Sequence, residues 1–85
     1  MVSSEAIALL RRLANGNAYL FGSRFDDGPL SLIEPAAHTP GIDRSVAEEL
    51  VIAGYLEDEA QRGESTNVAF RIAEKGRSFL ASMNP

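Results

Sequence analysis

His38 is the only imidazole in this 85-residue chain, so a nucleophile, base and orienting acid would have to be built from it with Ser31 or Ser45 and Asp43. Such a triad works because the imidazole takes the hydroxyl proton while a carboxylate fixes its ring. No strained nucleophile turn and no glycine loop able to form an oxyanion hole accompanies these residues. Metal chemistry is equally unsupported, since zinc wants several nitrogen or sulfur ligands and the chain offers one His and no Cys. Asp26-Asp27-Gly28 has the composition of a calcium loop but not its spaced oxygen ligands or terminal Glu, and reads as a turn. Gly54, Gly63 and Gly76 form no phosphate-cradling series. The sequence therefore predicts a protein that is not an enzyme, with no metal, no cofactor and no evident small-molecule substrate.

Binding chemistry is the remaining option. Eight Lys and Arg face twelve Asp and Glu, a net charge of −4 with a pI near 4.8. A domain that lives on phosphate backbones usually carries a basic face, so the sum argues against nucleic acid unless the fold gathers cations on one side. Arg11, Arg12, Arg24, Arg71, Lys75 and Arg77 are spread over four expected elements, and only tertiary structure can bring them together. Glu57-Asp58-Glu59 reads as a solvated edge that discourages strand pairing, or as a site for a basic partner. Tyr19, Phe21 and Phe25 are spaced to share one face of a strand, with Ala18, Leu20 and Gly22 on the other. Either the aromatic face is the core and the smaller face is wetted, or both faces are apolar and one meets a partner, a two-fold homodimer through this hairpin being one solution.

These residues need elements to hold them. Ser3 or Ser4 caps a first helix running to about Ala14, with Glu5 in its first turn, Arg11 and Arg12 in its last, and a buried stripe of Ile7, Leu10, Leu13 and Ala14 widened by Leu9. Asn15-Gly16-Asn17 ends it. Strands over Ala18–Arg24 and Leu30–Glu34 flank the Asp-Gly turn as a hairpin. The Pro-bounded segment Pro35 to Gly41 has room for one helical turn at most. Asp43 or Ser45 caps a second helix, Ser45 to Glu48 matching a capping box, and Gly54 ends it. Tyr55-Leu56-Glu57 enters an edge strand, residues 58–66 form a polar loop, and Asn67–Ala73 alternates as a half-buried strand. A last helix returns Phe79, Leu80 and Met83 to the core.

Length and composition set the frame. A chain of this size buries roughly 60 to 65 per cent of its unfolded surface in one small core, so residues 1–85 make a single domain. Apolar residues at 45% and charged residues at 24% are ordinary globular values. The absence of cysteine fits a reducing, cytoplasmic setting, and Met1 to Leu13, interrupted by Glu5, Arg11 and Arg12, reads as neither a signal nor a membrane segment.

Residues 43 to 82 resemble the recognition helix, wing and final helix of winged helix-turn-helix proteins, in which a "GYLE" step precedes a "YRIT-x-KGR" type strand and helix. The matching residues are Leu50, Gly54, Tyr55, Leu56 and Glu57, then Phe70, Arg71, Ile72, Ala73, Lys75, Gly76 and Arg77. The family often has Thr where Ala73 stands, so the last helix forgoes a cap worth about 1 kcal/mol or finds its cap elsewhere. The resemblance implies an α+β domain of winged-helix type in the order α-β-β-α-β-β-α, with a β-hairpin in place of the first limb of the helix-turn-helix. It also implies a DNA-binding, transcription-regulating module, a dimer in its usual form. By position, Arg44, Ser45, Glu48, Glu49 and Ile52 would face the major groove, and Gln61 and Arg62 would lie at the wing tip. The other role it implies is a winged helix for protein–protein interaction that does not bind DNA and uses the aromatic hairpin, Tyr19, Phe21 and Phe25, or the acidic wing.

Overall fold

A computed structural model of the chain describes residues 2–23, 28–59 and 67–83. Helix α1 spans Ser4–Leu13 and begins where the sequence placed it: the Ser3 hydroxyl accepts from the Ala6 amide at 3.2 Å. Its buried residues are Ala6, Leu9, Leu10 and Leu13, with Ile7 and Ala14 only partly covered, so the stripe is turned slightly toward Ala6 from the expected one. Gly16, at φ 77°, and Gly54, at φ 84°, take the left-handed conformation that ends the first two helices.

Five antiparallel strands follow: β1 Tyr19–Ser23, β2 Leu30–Glu34, β3 Ala37–Ile42, β4 Leu56–Asp58 and β5 Asn67–Ile72. They form one sheet in the order β3-β2-β1-β5-β4. β3 is a correction to the expected order, which has at most one helical turn and no strand between Pro35 and Gly41. The reason is positional. β3 is an edge, where the amide that Pro40 lacks is not needed by a neighbour, and Pro40 holds Thr39 extended. Leu32 pairs with Thr39 but Leu30 pairs with Ile42, so the register slips there. Gly41, at φ 78°, supplies the left-handed residue of that bulge. Among the described residues the element order is thus α-β-β-β-α-β-β-α, a small α+β domain with three helices and one five-stranded sheet.

Helix α2 spans Arg44–Ile52 and is capped by Asp43, not by Ser45. The capping box is not formed; instead Glu49 reaches across to α1, accepting from the Ser3 amide at 2.8 Å and the Ser3 hydroxyl at 3.1 Å. Helix α3 spans Glu74–Met83. Phe79 packs on the core and Leu80 lies within it, whereas Met83 is exposed, one turn too far along the helix to reach.

One hydrophobic cluster joins all three helices to the sheet: Leu10, Leu13, Leu50 and Leu80 meet Leu20, Leu30, Leu32, Leu56 and Val68. The strand residues in it share one pleat face, since Leu20 pairs with Leu32 and Phe70, and Gly22 with Val68. The helices therefore cover one face of the sheet. Among the described residues no helix is long and apolar enough to cross a membrane.

Candidate interaction surface

Arg44 opens α2, yet its guanidinium turns back onto the sheet. Its Nε donates to the Gly28 carbonyl at 2.8 Å and its Nη2 to the Ser23 carbonyl at 3.1 Å, in a half-buried position. Ser45 is also engaged locally, its amide and hydroxyl donating to Asp43 Oδ1 at 2.9 and 2.8 Å. Those two bonds, the amide first, hold the Asp43 carboxyl below its ordinary pKa, opposed only by slight desolvation. Gln61, Arg62 and Phe25 lie outside the described residues.

The outward surface of α2 is apolar and acidic. Ile52 is 86% exposed, Val51 and Glu48 are exposed, and Glu49 is spent on Ser3. Beside them a shallow depression of about 210 Å³ is walled by Leu30, Ala47, Val51, Ile52 and Phe70, with Arg44 and Glu48 also lining it.

The cations gather elsewhere. Arg71 Nη1 donates to the Asn17 carbonyl at 3.0 Å and Arg77 Nη1 to the Ala14 carbonyl at 3.5 Å, which brings both to the turn after α1, next to Arg11 and Arg12. Cations at that end suit the negative pole of the α1 dipole. Among the described residues two of the four also have acidic partners: Arg12 pairs with Glu34 at 2.7 Å, and Arg71 pairs with Glu59. This turn enters β1, whereas Arg44 binds at the far end of that strand, so the fold does not unite the two sets.

Comparison with protein-family models, with curated proteins and with solved structures finds no match for this chain.

The face of the sheet away from the helices carries a second apolar surface. Leu20 is fully buried, so its neighbours Tyr19 and Phe21 point outward, and Phe21 is 42% exposed. Of the two readings of this strand, the core is therefore on the Ala18 and Leu20 side, and the aromatic face is the surplus. Phe21 lies between Ser31 and Ala69 in the register, both too short to cover its ring. Tyr19 pairs with Ile33 and is roofed by Arg71, whose guanidinium sits 5.0 Å from the ring centroid.

Strand addition at either edge is obstructed. β3 has Pro40 and the bulge at Gly41, and β4 is three residues long with Glu57, Asp58 and Glu59 on it or just beyond it. His38 lies on the outer face of β3 opposite Ile33, apart from the Asp43–Ser45 pair at the start of α2. Among the described residues no group of three or more His, Asp or Glu side chains could hold a metal.

Proposed function

We propose that this domain is a winged-helix-type module for protein contact and that duplex DNA is not its ligand. Support for the kinship comes from the succession α2, β4, β5, α3 around Leu50, Leu56, Phe70 and Phe79, of which the first two are buried and the others pack against the same cluster. The β2–β3 hairpin stands where the family's second helix would be.

The observation that carries the choice of ligand is Ile52, 86% exposed on the helix that would enter a major groove. A DNA-reading helix presents donors to phosphates and base edges. Here Val51 and Ile52 would be buried against a polar surface, Glu48 would meet phosphates with like charge, and Arg44 would have to break two bonds to turn outward. Between the two roles that the resemblance implies, this favours protein contact.

Titration against a labelled duplex at salt concentrations from about 50 to 200 mM tests it. The expected result is no binding beyond a trace that is independent of salt. A dissociation constant that rises linearly with salt on a log–log plot would overturn the reading, because that slope counts neutralised phosphates.

A further inference from the structure

Resting on the protein-contact reading, we propose that the outward side of α2 receives a basic amphipathic segment of a partner protein, which seats one large apolar side chain between α2 and the sheet and sets a Lys or Arg against Glu48. Ile52 is 86% exposed, and the depression beside it is floored by the buried Leu30 and Ala47, with Val51, Ile52 and the half-buried Phe70 around them. Its volume of about 210 Å³ admits one leucine, methionine or aromatic side chain and little more. A pocket closed by a single bulky anchor is the usual energetic centre of a protein contact. Strand addition is obstructed at both edges by Pro40, the Gly41 bulge and the short acidic β4, so the partner docks by its side chains.

Charge selects the occupant. Two charged residues line the depression, and they are differently engaged. Arg44 is turned onto the hairpin, with Nε on the Gly28 carbonyl at 2.8 Å and Nη2 on the Ser23 carbonyl at 3.1 Å. Glu48, one turn further along α2, is exposed, and its carboxylate has no hydrogen bond or ion pair among the described residues. The charge left for a partner is therefore negative, and a cation beside the apolar anchor answers it. The net charge of −4 acts the same way at longer range, drawing a cationic partner and repelling a second copy of this chain.

Selection of a random peptide library, displayed on phage, against the immobilised protein tests the inference. The expected binders carry a Leu, Met, Phe or Trp next to a Lys or Arg. With one such peptide labelled and followed by fluorescence anisotropy, Ile52→Ser should raise Kd about tenfold or more. Glu48→Lys should raise it about threefold. Phe21→Ser, on the opposite face of the sheet, should leave it unchanged, and all three variants, altered at exposed positions, should keep cooperative urea unfolding. An empty selection, binders that are acidic or lack an apolar anchor, or binding indifferent to Ile52→Ser or to Glu48→Lys would overturn the proposal, as would binding lost with Phe21→Ser. Salt-dependent duplex binding would instead overturn the protein-contact reading on which it rests, whatever peptides are selected.

Discussion

Arg44 Nε donates to the Gly28 carbonyl at 2.8 Å, so the first residue of α2 fastens the start of β2. With its second bond to Ser23 the same guanidinium bridges both limbs of the β1–β2 hairpin. Its planar fork suits this task, because two carbonyls are met without rotating the head group.

Arg44→Ala should therefore lower unfolding stability by about 2 kcal/mol, since two charge-assisted hydrogen bonds are lost. Arg44→Lys should recover less than half of this, because an ammonium offers no fork. Urea titration of the three proteins reads the difference. Equal stability of Arg44→Ala and wild type would show the bridge to be idle.

Gly76→Ala separates helix propensity from packing. In an open helix the change would gain about 0.5 to 1 kcal/mol. At this site a Cβ would come within 2.5 Å of the Tyr55 carbonyl oxygen and 2.9 Å of Ile72 Cγ1. The carbonyl is backbone, already accepting from the Ala73 amide at 2.8 Å, and cannot swing aside cheaply. A net loss of about 1 to 3 kcal/mol is expected in thermal or urea unfolding.

Leu20 and Phe21 are adjacent but face opposite ways. Leu20→Ala should cost about 2 to 5 kcal/mol through the cavity it leaves in a fully buried site. Phe21→Ala should cost less, about 1 kcal/mol, because its ring is only partly covered and the main loss is strand preference. The reverse order in urea midpoints would mean that the aromatic face, not the leucine face, is the core.

Asp43 gives the fold an acid-sensitive cap. Its carboxyl has a lower pKa when folded, through the Ser45 amide and hydroxyl, than when unfolded. The associated stabilisation is complete above the ordinary carboxylate pKa and is lost as pH falls through the folded value. Asp43→Asn should keep the cap, because an amide oxygen also accepts from the helix amide, yet remove this contribution to the acid limb. Unfolding midpoints recorded from neutral pH into the acid range should show a shallower decline for Asp43→Asn. Parallel curves for the two proteins would exclude this carboxyl as a source of the dependence.

Much of the framework was legible in the chain itself. A cap at Ser3 or Ser4 and another at Asp43 or Ser45, Gly16 and Gly54 as stops, the β-forming run Leu30–Glu34 and the alternation of Asn67–Ala73 are signals contained within a few residues, and local backbone preferences act on them before any long-range contact forms. β3 was missed because its proline and glycine signal a turn unless the strand is known to be an edge. The candidate surface was only half legible: the spacing of Tyr19 and Phe21 put them on one face, but alternation alone cannot say which face the helices will cover.

Tertiary structure decided that matter, and the destinations of the arginines as well. Arg44 looked like a residue aimed at a ligand until the hairpin carbonyls of Ser23 and Gly28 came within its reach, and Arg71 and Arg77 met at the turn after α1 from far along the chain. The sequence by itself determined where helices and most strands begin and end, because those choices depend on near neighbours. Which side of β1 is buried, and which charges are already occupied, depend on groups separated by tens of residues, and only the folded chain sets those distances.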